Sequence, residues 1–176
     1  MKVNSGFTLV ELMAVVAIGA ILMAIGAPSY RYVTNSNRIS AEVNGLLGDL
    51  QFARSEAIKE GGTVTVCPST DNKTCTNNSH TWNTGWIVVS PPPASTVLRT
   101  QPAFATTKDS LVSKDGQTAA ITFDRNGFAG AQPVLNNGSV VIKLTTTPDN
   151  QNWTRCVEVV VGGSITTEKI GQNNCS

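Results

Sequence analysis

An apolar run near the N-terminus limits what this chain can fold into more than any other feature. Residues 7–27 contain one ionisable side chain, Glu11, and follow the short polar segment 1–6, which carries a cation at Lys2. At a rise of about 1.5 Å per residue, a helix over this run would be roughly 30 Å long, which matches the hydrocarbon core of a bilayer. The run therefore predicts a helix that lies in a membrane or among other apolar helices.

Three interpretations of this run compete. A secretory signal peptide has an apolar region of about 7–15 residues and a small-x-small cleavage site, whereas this run is longer and Ala24–Ala27 leads directly into Pro28. A plain single-span anchor fits the length. However, a carboxyl group inside a membrane costs several kcal/mol unless it is paired or near the interface. The third interpretation gives Glu11 a function.

The residues around Glu11 indicate what that function is. The stretch Gly6-Phe7-Thr8-Leu9-Val10-Glu11 resembles the class III prepilin signal, the processing motif of type IV pilins and type II secretion pseudopilins. The resemblance implies that a prepilin peptidase cuts between Gly6 and Phe7 and methylates the new N-terminus at Phe7. Pro28 falls where many pilins carry a proline in the helix, and we expect a kink there because proline removes a backbone donor.

Electrostatics gives the same resemblance a physical reason. After cleavage, Phe7 would carry a bare ammonium at the positive end of a helix dipole. Buried among identical apolar helices, that charge would be costly without a partner. Glu11 on a neighbouring, axially shifted subunit would supply the partner. The alternative is that Glu11 merely lies at the level of the lipid headgroups.

The rest of the chain changes from helical to strand periodicity. An apolar stripe with spacings of three and four predicts that the helix continues to about residue 60, where Gly61-Gly62 ends it. The stripe consists of Ile39, Val43, Leu46, Leu47, Leu50, Ala53 and Ala57. Period-two patterns between turn signals then predict strands at residues 63–67, 85–90, 96–100, 120–124, 139–145, 155–161 and 164–168.

These elements predict an α+β fold with an antiparallel sheet. In pilin-like terms, a long N-terminal helix has an apolar half that protrudes and an amphipathic half that packs on the sheet. We expect a leader at residues 1–6, a half-helix at 7–28 and one globular domain at 29–176. Within that domain the amphipathic half-helix covers about 29–60 and the β-rich part covers 63–176.

The four cysteines, Cys67, Cys75, Cys156 and Cys175, lie outside the apolar run and form no CxxC pair. With a membrane-targeting N-terminus, the domain is expected in an oxidising compartment, where disulfides persist. Three pairings are possible. We favour 67–75 and 156–175 because short loops close at low entropic cost.

The sequence offers no pattern typical of an enzyme. His80 is the single histidine and lies in a polar loop, and neither a GxxxxGK[ST] nor a GxGxxG motif is present. We therefore expect no catalytic residues, no metal and no cofactor. The 13 basic and 12 acidic side chains nearly balance, which gives no overall electrostatic reason to bind nucleic acid or anionic lipid.

A second, broader set of residues resembles the GspH/FimT/FimU group of minor pilins and pseudopilins. These residues are Leu50–Lys59, Val64–Ser69, Trp82, Gly85–Val89, Val97–Arg99, Ile121–Phe123 and Gly127. Taken individually, Trp82, Trp86 and Phe123 are interpreted as core residues.

This resemblance implies three functions. The first is a minor type IV pilin at or near the pilus tip that helps to prime assembly, and thereby supports adhesion and twitching motility. The second is a GspH-type minor pseudopilin of a type II secretion system. The third is DNA binding of the FimT type, which implies a Gly-Arg-x-Arg sequence on the last strands.

The DNA-binding alternative meets a departure from the family's pattern. This chain has Gly162-Gly163-Ser164 where the arginine pair is expected, and a glycine-serine turn cannot clamp phosphate as two guanidinium groups do. DNA binding would then depend on a spatial cluster of the remaining cations Arg125, Lys143, Arg155 and Lys169.

The resemblance also implies partners and a location. The partners are other minor pilins or pseudopilins, the major pilin and, for processing, the prepilin peptidase. The chain is expected in the bacterial inner membrane with its C-terminal domain in the periplasm, and then in an extracellular pilus or pseudopilus.

Overall fold

The apolar run and the amphipathic segment after it form one α-helix, α1, over Leu9–Glu60. The description rests on a computed structural model. It describes residues 8–76, 79–91, 93, 95–132, 138–147, 151–172 and 175.

Both ends of α1 follow from local chemistry. The hydroxyl oxygen of Thr8 accepts a hydrogen bond from the backbone N–H of Glu11 at 3.3 Å, so Thr8 caps the N-terminus of the helix. At the other end, Gly61 adopts a φ of 66° and the N–H of Gly62 donates to the carbonyl of Ala57 at 3.2 Å, as in a glycine-terminated helix. The predicted helix over residues 8–60 is confirmed.

The chain divides into two compact units, and the division falls inside α1. The first unit ends at Arg38, and its described part is helical beyond Thr8. The second unit runs from Ile39 to Ser176 and contains every described strand.

Nine strands follow the helix. Their bounds are β1 Val64–Pro68, β2 Gly85–Val89, β3 Val97–Pro102, β4 Asp109–Ser113, β5 Ala120–Phe123, β6 Ala129–Gln132, β7 Ser139–Thr146, β8 Arg155–Val160 and β9 Ile165–Lys169. A short 3-10 helix at Gln151–Trp153 precedes β8. All seven predicted strands are present, and β4 and β6 are additional to them.

The strands form two antiparallel sheets, where the sequence analysis expected one. The first sheet has the order β3-β2-β1-β5-β6 and the second has the order β4-β7-β8-β9. In the first sheet β1 lies between β2 and β5 and pairs with both, although β3 and β4 separate β2 from β5 along the chain. After β3 the chain crosses to the second sheet, where β4 pairs with β7. It then returns to the first sheet at β5.

The core of the second unit lies between α1 and the sheets. Six of the seven predicted stripe residues are buried, and Leu47 is half-buried. The six buried residues share one apolar cluster with Trp82, Trp86 and Phe123. These three aromatic residues are fully buried, which confirms the prediction that they belong to the core. The part of α1 from Ile39 onward is thus held by packing on the sheets.

A polar clamp also joins α1 to the edge of the first sheet. The carboxylate of Asp49 accepts a hydrogen bond from the indole Nε1 of Trp86 at 2.9 Å and forms an ion pair with Arg99 at 3.2 Å. The guanidinium of Arg99 lies 3.8 Å from the centre of the Phe52 ring, which adds a cation–π contact. Strand β3 is therefore fastened to the helix by Arg99 as well as to β2 by its backbone.

The four cysteines form two disulfides, Cys67–Cys75 and Cys156–Cys175. This is the pairing that the sequence analysis favoured. The first closes a polar loop after β1, and the second attaches the C-terminal segment to β8.

Candidate functional site

The first part of α1 exposes apolar side chains on all its sides. Between Leu9 and Ile25, large apolar residues are between 57% and 77% exposed. Monomeric soluble proteins rarely expose so much contiguous apolar surface, and such a surface marks an interaction with a membrane or with other proteins. The helix is long and apolar enough to cross a membrane.

Glu11 is the one acid on this surface. It lies in the first turn of α1 and is exposed, and its backbone N–H is the one that Thr8 caps. Within the described part of the chain, no hydrogen bond or ion pair to its carboxylate is recorded. Glu11 is therefore an exposed carboxyl group in the first turn of α1, open to a partner.

Of the other features predicted for this segment, the structure describes the proline but not the expected cleavage site. Gly6 and Phe7, the expected cleavage site, lie outside the described residues. Pro28 is within α1, and the kink expected there stays a prediction.

The second sheet carries three of the four cations considered for DNA, and it places one of them on the opposite face from the other two. Arg155 on β8 lies opposite Lys169 on β9, so these two share a face of the sheet. Lys143 on β7 lies opposite Cys156, which is the next residue along β8. Since successive residues of a strand point to opposite faces, Lys143 is on the other side of the sheet.

The remaining cation belongs to a different sheet. Arg125 is exposed in the turn between β5 and β6. The guanidinium of Arg155 donates to the carbonyl oxygens of Asn152 and Thr154, each at 2.8 Å. Part of its hydrogen-bonding capacity is therefore taken up within the chain. Strand pairing therefore brings together Arg155 and Lys169, but not all four residues.

The turn that would need an arginine pair for DNA binding instead packs against α1 at Gly163, which is buried, while Gly162 and Ser164 are exposed. Arg54, on α1, donates from Nε to the carbonyl of Gly127 at 3.1 Å and from Nη2 to the carbonyl of Gly162 at 3.5 Å. A side chain at Gly163 would overlap the carbonyl oxygen of Gly127. The β8–β9 turn is thus a contact point between helix and sheets.

Sequence analysis missed this role of Arg54. The signal that would have indicated it is the glycines at 127, 162 and 163. Glycines in turns allow the close approach of backbones.

The loop closed by Cys67–Cys75 is ordered by one carboxylate. Asp71 accepts hydrogen bonds from the backbone N–H of Thr74 at 2.8 Å and of Lys73 at 2.9 Å, and from the hydroxyls of Thr74 and Ser69 at 2.8 and 3.0 Å. The hydrogen bonds from Thr74 and Lys73 hold the pKa of Asp71 well below its usual range. The loop is therefore a fixed, polar surface feature.

Further along, His80 is exposed. Among the described residues, no group of three or more His, Cys, Asp or Glu side chains is placed to hold a metal ion.

Two family models match the sequence. The model described as type II transport protein GspH matches residues 42–163. The model described as a prokaryotic N-terminal methylation motif matches residues 1–27, which include the processing motif and Glu11.

Individual relatives match shorter or more distant regions. Two fimbrial proteins of Pseudomonas aeruginosa are each 44% identical to this chain over 61 residues, which are 35% of this chain and 39% of the fimbrial protein. The chain thus spans about two fifths of the length of the curated relatives that it matches.

The fold is also similar to solved structures. A crystal structure of the type IV minor pilin FimU of Pseudomonas aeruginosa covers 77% of this chain and 92% of its own, with a TM-score of 0.58 and 20% identity. A second crystal form gives a TM-score of 0.50 and 18% identity, with coverages of 77% and 90%. At such identities, the likeness concerns the fold.

Proposed function

Because the chain belongs to the family of the type II transport protein GspH and carries the N-terminal methylation motif, we propose that it is a minor type IV pilin. Its role is structural. It joins other minor pilins at or near the tip of the pilus, primes assembly and precedes the major pilin in the filament. The similarity to fimbrial proteins and to the fold of FimU supports the pilus as the site of action.

One observation carries the proposal: α1 exposes an apolar surface whose single acid is Glu11. Cleavage between Gly6 and Phe7 by prepilin peptidase would leave an ammonium at Phe7, close to the N-terminus of α1. When apolar helices of several subunits pack together, that ammonium would leave water and need a carboxylate partner. Glu11 of an axially shifted neighbour meets this need and fixes the register between subunits.

The location follows from the same features. Before assembly the apolar segment lies in the inner membrane and the second unit lies in the periplasm. The two disulfides support an oxidising compartment for that unit, since disulfides persist there.

A second candidate is a GspH-type pseudopilin of a type II secretion system. The description of the matching family model favours it. The same charge pairing would operate in a pseudopilus, so α1 does not separate the two candidates.

The first test changes the charge of Glu11. Glu11→Val and the closely isosteric Glu11→Gln should both abolish incorporation, because either removes the carboxylate that pairs with the ammonium of a neighbour. Incorporation is measured by immunoblots of sheared filaments, with the membrane-bound pool measured alongside. Val10→Ile changes an exposed apolar neighbour without altering the charge, and it should assemble as the unaltered chain does. Normal incorporation of both Glu11 variants would refute the charge pairing.

The second test separates pilus from pseudopilus. The chain is expressed in cells that lack their own copy and have either type IV pili or a type II secretion system. We expect the chain to enter sheared pili and to restore twitching. Restored secretion without entry into pili would support the second candidate instead.

A further inference from the structure

After the apolar run and two further residues, α1 carries three consecutive polar-tipped side chains, Tyr30, Arg31 and Tyr32. All three are exposed, Tyr30 at 73% and Tyr32 at 52%. We call them the tyrosine ring. They belong to the first compact unit, and the function proposed above assigns them no role.

The ring surrounds the helix instead of forming one face. Successive residues of an α-helix are about 100° apart around its axis, so Tyr30 and Tyr32 point to nearly opposite sides and Arg31 lies between them. A helix that docks on a protein groove places its anchors three or four residues apart, on one face. Aromatic residues on opposite sides at one level suit a partner that encloses the whole helix.

The spacing along the helix identifies that partner. Tyr30 and Glu11 are separated by 19 positions, which is about 29 Å at a rise of 1.5 Å per residue. The hydrocarbon core of a bilayer is about 30 Å thick. The ring and Glu11 are therefore separated by about the thickness of the hydrocarbon core, with the apolar surface between them.

We propose that the tyrosine ring sits in the outer headgroup layer of the inner membrane and sets the depth of α1 before assembly. Tyrosine is enriched at this level because its ring is apolar and its hydroxyl is polar. Arg31 extends its charged end to the lipid phosphates while its stem stays on apolar surface. This inference rests on the proposed function, since it requires α1 to lie in the membrane first.

The depth has a consequence for Glu11. With the ring at the outer interface, Glu11 lies at the inner boundary of the hydrocarbon, where water and headgroups solvate its carboxylate. A carboxylate at this level avoids most of the cost of the bilayer centre. The subunit is thus held in the membrane with its charge hydrated, ready to pair when a neighbour arrives.

The test measures depth by cysteine labelling in the full chain. All four native cysteines are in disulfides, so one introduced cysteine provides the single free thiol. Cysteines are placed one at a time between residues 21 and 37 in cells that lack the assembly machinery. A membrane-impermeant maleimide is then added from the periplasmic side. We expect labelling beyond the ring and loss of labelling on the N-terminal side of Tyr30.

Ring variants then test what sets this boundary. Tyr30→Leu with Tyr32→Leu removes the two interfacial aromatic groups and keeps Arg31, whose long side chain can still reach the phosphates from a deeper position. The boundary should therefore move toward the C-terminus by about one helical turn, or four residues. Tyr30→Trp with Tyr32→Trp keeps an interfacial aromatic on each side and should leave the boundary in place.

Each remaining outcome contradicts a specific statement. An unchanged boundary in the leucine variant, with the chain still in the membrane, would overturn the ring and leave the proposed function standing. Equal labelling at every position, with the chain in the soluble fraction, would overturn the membrane-held state and the proposed function together. Equal shifts in both ring variants would show that tyrosine itself, and not interfacial aromatic character, is required, which would overturn the ring as proposed.

Discussion

At the scale of residues, Arg54 and Gly163 form a junction that links distant parts of the chain. Arg54 donates to carbonyls 73 and 108 positions away in sequence. Gly163 adopts a φ of 77°, and any side chain there would meet the backbone of Gly127 and the guanidinium of Arg54. Neither atom set can move away cheaply, because one is backbone and the other is held by hydrogen bonds.

The junction gives a matched pair of substitutions. Gly163→Ala should destabilise the domain by at least about 2 kcal/mol, since it combines strain at a positive φ with overlap of backbone atoms. Gly162→Ala, one residue earlier, meets no atom within 4 Å and should change stability little. Urea unfolding followed by fluorescence measures both. Equal midpoints for the two variants would show that the turn is not packed as described.

Asp71 makes the loop after β1 sensitive to acid. Hydrogen bonds from the Thr74 and Lys73 backbone lower the pKa of Asp71 below its ordinary value of 3.8. A group with a lowered folded pKa stabilises the fold above its unfolded pKa, and this contribution is lost as the pH falls through the folded pKa. The loop should therefore keep its structure at neutral pH and loosen only in strong acid.

Nuclear magnetic resonance tests this directly. The amide signals of Lys73 and Thr74 should shift together as the Asp71 carboxyl is protonated, at a pH below that of an unperturbed aspartate. In Asp71→Asn this acid transition should disappear. A transition in the ordinary aspartate range would contradict the hydrogen-bonded geometry.

At the scale of elements, the disulfide Cys156–Cys175 holds the C-terminal segment to the second sheet. It joins β8 to a segment beyond β9, which is the edge strand of the sheet. Its two cysteines are separated by 19 positions, so removing it should cost about 3 kcal/mol through the entropy of the unfolded chain.

Replacing both cysteines by alanine tests where that cost appears. Hydrogen exchange should show lost protection in β9 and the following segment, with β1, β2 and β5 of the other sheet still protected. The parallel variant that removes Cys67–Cys75 should loosen its own loop and leave β9 unchanged. Loss of protection spread evenly over both sheets would contradict this local role.

The sequence analysis did not predict β4 and β6 because their residues depart from the pattern that is typical of strands. In β4, Asp109 and Ser113 are buried together with Leu111. A period-two pattern would be recognised only if apolar residues stood at these buried positions, and two of the three are polar. In β6, small residues and a glycine replace the β-branched residues typical of strands. Both strands are specified by their neighbours, with β4 paired to β7 and β6 paired to β5.

At the scale of the whole molecule, exposure divides the chain sharply. Eleven large apolar residues from Leu9 to Ile25 are exposed, whereas the buried residues of the core begin at Ile39. A truncated chain that begins at Ser29 should therefore be soluble, monomeric and folded, because it keeps every buried residue and loses most of the exposed apolar surface.

Sedimentation and near-ultraviolet circular dichroism check this prediction. The truncated chain should sediment as a monomer and show the signal of packed tryptophans. The full chain should require detergent or lipid. Aggregation of the truncated chain would mean that the amphipathic half of α1 needs the apolar half to fold.

Local sequence by itself determined the elements that depend on local chemistry. The apolar run, the stripe from Ile39 to Ala57, the glycines at 61 and 62 and seven strands were readable because each follows from side-chain periodicity or backbone freedom over a few residues. The preferred cysteine pairing was also readable, since short loops are the easiest to close.

Tertiary structure alone decided which strands pair and what the polar side chains hold. The contacts of Asp49 with Trp86 and Arg99 and the contacts of Arg54 join residues 37 to 108 positions apart, and the division into two sheets places β4 away from its neighbours in the chain. Such contacts depend on packing of the whole core, and no periodicity within one segment records them.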